Sequence, residues 1–162
     1  MSNTSGREAT LRFLAEPSEV NFGGKVHGGT VMKWIDHAGY TCAVGWSGRY
    51  CVTVYVGGIR FQHPIHIGDL VEVRAKVIYT GTTSLHIAVK VWAGDPRDRN
   101  LRRTTHCVIV FVAVDRDGHP MSVPAWVPVS EEDKALQQYA QQLMEQRKTI
   151  DSAHPLNHAK EM

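Results

Sequence analysis

The order of hydrophobic and polar positions predicts one long helix followed by a set of strands. Residues 27–45 are apolar around most of a helical circumference, and a helix of this kind is expected to be buried. Residues 69–79 and 83–93 alternate between apolar and polar side chains, which is the period of a half-buried strand. Residues 104–114 are β-branched and apolar on both faces, as in a central strand.

The remaining segments complete a sheet and add a second helix. Residues 9–14 and 50–61 are further strand candidates, and the pair Gly57-Gly58 predicts a bulge or a close backbone approach in the second. The short link Thr80-Gly81 predicts an antiparallel hairpin. A helix with a single apolar stripe begins at Ser130 and is expected to lie on the surface. The fold class is therefore α+β, with a long buried helix beside a twisted antiparallel sheet.

Length and composition indicate one domain, at residues 9–147 of the 162, between a disordered segment 1–8 and a flexible tail 148–162. No apolar stretch is long enough to span a membrane, and no secretory signal is visible. The three cysteines show no CxxC spacing and are expected to be buried thiols, which favours the cytoplasm. One sheet cannot cover both its faces and its edges, so a second copy of the chain is the expected partner.

The charge excludes some classes of partner. The formal net charge is +2, which argues against nucleic acid or an anionic membrane as a ligand. A small anion held by a local basic cluster remains compatible with it.

The start of the long helix carries the candidate chemistry. Gly28 and Gly29 would let a ligand approach the unpaired amides of the helix, where a carbonyl oxygen could be held as it becomes an oxyanion. Asp36 lies inside the apolar helix, and desolvation there would sharpen it as a base or nucleophile. Each feature alone also has a structural explanation. The glycines could simply open a helix that is crowded against a sheet, and Asp36 could form an ion pair with Lys33 or a hydrogen bond with Tyr40.

Spacing joins the two features across a dimer. Gly28 and Asp36 are about 12 Å apart along the helix axis at ~1.5 Å per residue, too far for one carbonyl to touch both. Two antiparallel copies of the helix would bring each Asp36 to the amino end of the other. The site is therefore expected to be shared between two subunits.

Other residues support or oppose this chemistry. The amide of Asn21 could donate to a carbonyl or orient a water, although an ordinary turn also explains it. The nine histidines form no HExxH pattern, so metal catalysis is disfavoured. No GxSxG elbow, Walker motif or Rossmann glycine pattern is present.

The ordered set of motifs over residues 10–146 resembles the hotdog-fold acyl-CoA thioesterases, in the branch of the bacterial short-chain and eukaryotic cytosolic acyl-CoA hydrolases. The motifs that carry the resemblance are Asn21, the run His27–Asp36, Phe61 with Pro64, Gly68-Asp69, the run Tyr79–Ser84 and the strand ending Phe111–Asp115. The segment Ser18-Glu19-Val20 before Asn21 departs from the usual pattern.

The resemblance implies a fold, an activity and a site. It implies a long helix wrapped by a curved sheet, dimers that commonly assemble as three to a hexamer, and hydrolysis of fatty acyl-CoA. Asn21 and Asp36, from opposite subunits, match the catalytic residues, and Gly28 and Gly29 match the carbonyl-binding turn. The residues implied to contact coenzyme A are Gly81, Thr82, Thr83, Ser84 and, on its charge alone, Arg103, with Arg102 beside it. No cofactor or metal is implied, since coenzyme A enters only as part of the substrate.

Two alternatives stay open at this point. The same fold hosts enoyl-CoA hydratases, although His37 projects from another face of the helix than Asp36, by about 100°. A non-catalytic acyl-CoA sensor would need the groove without a working base.

Overall fold

A computed structural model of the chain describes residues 6–158. The chain divides into two compact units, one ending at Trp126 and one beginning at Val127. The predicted disorder at residues 1–5 and the predicted flexibility at residues 159–162 lie outside the described residues.

The first unit combines one helix with a five-stranded antiparallel sheet. Its elements are β1 (Glu8–Leu14), a 3-10 turn (Pro17–Glu19), α1 (Gly28–Ser47), β2 (Cys51–Phe61), β3 (Leu70–Thr80), β4 (Ser84–Gly94) and β5 (Arg102–Ala113). The strand order is β1-β3-β4-β5-β2, so that β1 and β2 form the two edges. The expected α+β class is confirmed, and β3 and β4 form the hairpin that Thr80-Gly81 predicts.

The helix α1 packs on one face of this sheet through a single stripe. The stripe follows the i, i+3, i+4 spacing of one helix face and comprises Val31, Trp34, Ile35, Ala38, Gly39, Cys42 and Ala43. It meets alternate residues of the strands, such as Val73, Val89 and Ile109, which are fully or almost fully buried. Burial of this apolar surface is the main stabilising contribution in the first unit.

The exposed residues of α1 correct one prediction. Met32 is 45% exposed and Tyr40 is 38% exposed, so the helix is not buried on all sides within one chain. The apolar residues of α1 exceed what the sheet of the same chain can cover. The apolar pattern therefore indicates a helix that has a second apolar face in addition to the one on its own sheet.

Strand β2 is irregular where the glycine pair lies. Its pairing with β5 shifts register between Thr53 and Tyr55 and again between Gly57 and Arg60. Gly58 has a φ of 64°, a conformation that glycine adopts without steric cost. The predicted irregularity at Gly57-Gly58 is confirmed.

The second unit contains α2 (Glu131–Ala153) and a 3-10 turn (Pro155–His158). The hydroxyl of Ser130 accepts a hydrogen bond of 3.0 Å from the backbone amide of Asp133 and so caps the helix that the sequence predicts to begin at Ser130. The helix continues to Ala153, well into the segment 148–162 that the sequence predicts as a tail. Among residues 6–158, no helix is both long and apolar enough to cross a membrane.

Candidate active site

At the amino end of α1, the backbone amide of Gly28 is available to a ligand. The imidazole Nδ1 of His27 accepts from the Gly29 amide at 3.3 Å, and the His27 carbonyl accepts from Thr30 and Val31. Within the described part of the chain, nothing accepts a hydrogen bond from the Gly28 amide. Gly28 is therefore the available donor of the glycine turn, whereas the amide of Gly29 is already capped by a side chain.

Asn21 is held by a turn of its own. Its Oδ1 accepts from the backbone amides of Gly23 and Lys25, at 2.9 and 3.2 Å. These two bonds use the oxygen of the amide and leave the Nδ2 donors for a ligand. Asn21 and Gly28 line the same cavity of about 280 Å³, so the structure brings these two predicted donors together.

Asp36 lies further along the helix and is half-buried, not fully buried as the apolar pattern suggests. Its Oδ1 accepts a hydrogen bond of 2.5 Å from the Thr53 hydroxyl on β2. Asp36 and Gly29 line a second cavity of about 310 Å³. The other walls of this cavity are mostly aliphatic and comprise Met32, Lys33, Ile35, Val56, Ile59 and Ile109. A carboxylate at the edge of an apolar cavity suits a base or nucleophile that acts beside an acyl chain.

Thr53 is the site residue that sequence reasoning missed. It lies in the run of residues 50–61, where β-branched residues are expected for strand propensity alone. Only the packing of β2 beside α1 shows that its hydroxyl meets Asp36. The bond fixes one oxygen of the carboxylate and leaves Oδ2 for the reacting groups.

The residues implied to contact coenzyme A lie in two separate places within one chain. The carbonyls of Thr82 and Thr83 accept from the amides of Val123 and Ala113, so the β3–β4 turn is tied to the end of β5. Arg103 is exposed near the other end of β5, opposite Trp92. Ser84 and Trp92 are about 26 Å apart along β4 at ~3.3 Å per residue, so one chain does not bring Gly81, Thr82, Thr83 and Ser84 near Arg103.

The cysteines are unsuited to act as nucleophiles. Burial raises the pKa of Cys42 and of Cys107 to about 12, and it also raises the pKa of Cys51. A thiol of this kind stays protonated at neutral pH, and the thiolate is the reactive form.

One group of described residues has the arrangement of metal ligands. Ligand atoms of Asp115, Asp117 and His119 lie within 4.8 Å of one another in the turn after β5. The Asp115 carboxylate already accepts from the backbone amides of Asp117 and His119, which lowers its pKa. These bonds explain the turn without a metal ion.

The antiparallel sheet packed on α1, together with the glycine turn and Asp36, defines a hydrolase of the hotdog fold. Comparison with known proteins agrees with this class. The sequence profile of the thioesterase superfamily matches residues 23–99. The acyl-CoA thioester hydrolase YciA of Salmonella typhimurium is 36% identical over 128 residues, which cover 76% of this chain and 96% of the relative. This chain belongs to the thioesterase superfamily.

Two solved structures extend the comparison. An acyl-CoA hydrolase of Staphylococcus aureus, in complex with butyryl coenzyme A, coenzyme A and its disulfide, has a TM-score of 0.83 and 27% identity over 93% of both chains. The hexameric thioesterase of Yersinia pestis has a TM-score of 0.69 and 35% identity over 74% of this chain and 97% of that one.

Variants of the Staphylococcus aureus enzyme draw attention to three residue types. Structures exist in which an asparagine, an aspartate or a threonine of that enzyme is replaced by alanine. The spacings between those three residues along its chain equal the spacings between Asn21, Asp36 and Thr53.

Proposed function

We propose that this protein is an acyl-CoA thioesterase that hydrolyses fatty acyl-CoA to the free acid and coenzyme A. The observation that carries the proposal is the Thr53–Asp36 hydrogen bond at the edge of an apolar cavity that begins at the glycine turn of α1. Membership of the thioesterase superfamily and the names of the relatives support the same substrate class.

The proposed site divides the reaction between few groups. The Gly28 amide and Asn21 Nδ2 hold the thioester carbonyl oxygen and stabilise the charge that develops on it. Asp36 either takes a proton from the attacking water or attacks the carbonyl carbon itself, giving an anhydride that water then cleaves. In both routes the C–S bond breaks and coenzyme A leaves as a thiolate. A thiol has a pKa of ~8.5, so the site needs no strong acid for the leaving group.

The proposed site is shared by two copies of the chain. The exposed side of α1, which carries Met32 and Tyr40, provides an apolar surface for the α1 of a second copy. In an antiparallel pair, Asp36 of each copy would face the Asn21–Gly28 cavity of the other. Hexameric relatives such as the Yersinia pestis thioesterase support assembly of three such dimers.

The contacts to coenzyme A also fit a shared site. We assign Gly81, Thr82, Thr83, Ser84 and Arg103 to the coenzyme A groove. One chain keeps the β3–β4 turn far from Arg103, and a second copy would bring its own Arg103 to that turn. The buried free thiols Cys42, Cys51 and Cys107 support a reducing compartment, and we place the protein in the cytoplasm.

The test is a thiol-release assay over acyl-CoA substrates of increasing chain length, with molecular mass measured by light scattering. The expected result is saturable release of coenzyme A by an oligomer. Hydration of an enoyl-CoA without thiol release would establish the hydratase alternative instead. Tight binding of acyl-CoA without turnover across the whole series would establish a sensor.

A further inference from the structure

The face of the sheet opposite α1 carries a row of basic side chains at matched register. Arg74 on β3 pairs with Lys90 on β4, Lys90 pairs with His106 on β5, and His106 pairs with Arg60 on β2. The chain neighbours of Lys90 belong to the core beneath α1, so the row lies on the outer face. Residues paired directly in this way have Cβ atoms about 4.5 to 5.5 Å apart.

Most of this positive charge has no acidic partner. Arg74 is paired with Glu72, which also binds Arg12 at 3.2 Å. Within residues 6–158, no carboxylate lies at ion-pair distance from Lys90 or Arg60. The same holds for Arg103, three residues before His106 on β5. Lys90 lies opposite Arg74, and like charges opposite each other on a sheet are destabilising, so an anion bound at Lys90 would relieve this repulsion.

Two buried polar atoms on the same face lack partners. The indole Nε1 of Trp92 and the Nδ1 of His106 are inaccessible and make no hydrogen bond to any described residue. Desolvation, together with Arg103, Arg60 and Lys90, lowers the pKa of His106. Buried polar atoms are nearly always hydrogen-bonded in native proteins, so both atoms are expected to have a partner that the chain does not supply.

A small cavity adjoins the row. It has a volume of about 220 Å³, and Arg74, Lys76, Lys90, Trp92 and the acidic Glu8 are among its lining residues, whereas Arg60, Arg103 and His106 are not. This volume lies below the range of about 300–1,000 Å³ that encloses drug-sized ligands. The cavity therefore leaves room beside Lys90 for a compact group and not for a large apolar molecule.

We infer that Arg60, Lys90 and Arg103, with His106 between them, form a binding site for a phosphate-bearing anion on the outer face of the sheet. The anion has two sources, a separate phosphate ligand or the phosphates of a coenzyme A substrate. The second source would have to pass round the edge strand β2, because Arg60 lies on the outer face of that strand and the adjacent Phe61 lines the Asn21–Gly28 cavity on the other face. The site itself does not depend on the proposed hydrolase activity.

The first experiment measures binding of inorganic pyrophosphate by calorimetry to the full chain. We expect the double variant Arg60→Met with Lys90→Met to bind at least tenfold more weakly than the wild type. Arg97→Met is the matched control, because it removes a cation that is paired with Asp95 at 2.7 Å outside the row, and its affinity should stay within twofold. Wild-type binding should also raise the pKa of His106, followed by NMR of its ring protons. Absence of wild-type binding, or equal binding by the double variant with unchanged melting, would overturn the inference.

The second experiment distinguishes the two sources. It compares an acyl-CoA with the corresponding acyl-pantetheine, which lacks the phosphates. If the anion belongs to coenzyme A, the double variant raises KM for the acyl-CoA at least fivefold and leaves acyl-pantetheine unchanged, and pyrophosphate competes with the acyl-CoA. If the anion is a separate ligand, both KM values stay unchanged and pyrophosphate does not compete.

Discussion

The Thr53 hydroxyl donates to Oδ1 of Asp36 at 2.5 Å and thereby joins the edge strand β2 to the helix that carries the carboxylate. Thr53 is a positioning residue, because it orients Asp36 and touches no reacting atom. Thr53→Ala should lower kcat by about tenfold to a hundredfold, as expected when a group that orients a base is lost. KM should change little, since the acyl cavity is intact.

Thr53→Ser is the matched control, because serine keeps the hydroxyl and removes only a methyl group. We expect it to retain most of kcat, and the pH profile of Thr53→Ala should move whereas that of Thr53→Ser should not. A serine variant as slow as the alanine variant would mean that packing, and not the hydrogen bond, explains the role of Thr53.

One substitution of Asn21 separates the hydrogen bonds that hold its turn from the hydrogen bond that its Nδ2 would donate to the substrate carbonyl. Asn21→Asp keeps an oxygen that can accept from Gly23 and Lys25, but it removes the donor that would face the carbonyl. The free energy of unfolding should stay within ~0.5 kcal/mol of the wild type, while kcat falls by about a hundredfold. Asn21→Ala should lose the donor and the turn, and its stability should fall by about 1 kcal/mol. Urea unfolding and steady-state kinetics on both variants check this, and normal turnover by either one would remove Asn21 from the site.

The local pattern of apolar and polar residues predicts much of this architecture. The features that it does not predict have physical causes. The alternation in β3 and β4 was sufficient because each strand has one buried face, which fixes the side that every residue occupies. The burial of α1 was overestimated, because an apolar side chain such as Met32 is compatible with a core and with a surface that a second copy covers. The Thr53–Asp36 bond depends on the packing of two elements, which no local periodicity contains.

Gly39 lies where α1 packs against β5 without room for a side chain. An alanine Cβ there would lie 2.8 Å from Cε2 of Phe111 and 3.0 Å from Cγ2 of Ile109, both on β5. Gly39→Ala should therefore destabilise the protein by about 1 to 2 kcal/mol, the cost of overpacking less the gain in helix propensity. Gly45→Ala is the control in the same helix, because the nearest atom would be 3.6 Å away, and it should stabilise by ~0.5–1 kcal/mol. Equal effects in urea unfolding would show that the helix shifts to accommodate both.

The buried thiols make the free energy of unfolding depend on pH in the alkaline range. Burial raises the pKa of Cys42 and Cys107 from 9.0 to about 12, so the folded state holds these protons more tightly than the unfolded state. This contribution is fully present below pH 9 and is lost as the pH rises toward 12, by about 1.4 kcal/mol per pH unit for each cysteine.

The measurement compares urea unfolding at pH 8 and pH 10 for the wild type and the Cys42→Ala, Cys107→Ala double variant. Between these two pH values the wild type should lose about 2 to 3 kcal/mol more than the double variant, because other groups titrate equally in both. Equal losses would show that the thiols are not the source of the alkaline instability.

The shared site makes a prediction about mixtures of inactive variants. Asp36→Asn should abolish turnover in a purified sample while leaving coenzyme A binding unchanged, because only the base or nucleophile is removed.

If each site combines Asn21 of one chain with Asp36 of the other, a heterodimer of Asn21→Asp with Asp36→Asn contains one intact site and one site that carries both substitutions. After subunit exchange, half of the dimers are mixed and half of their sites are intact, so activity should return to about a quarter of the wild-type value. Two residues of the same chain could never be restored in this way, because every site would keep one substitution. Thiol release measured against the time of mixing decides between the two arrangements, and a mixture that exchanges subunits without regaining activity would place Asn21 and Asp36 in a site formed by one chain.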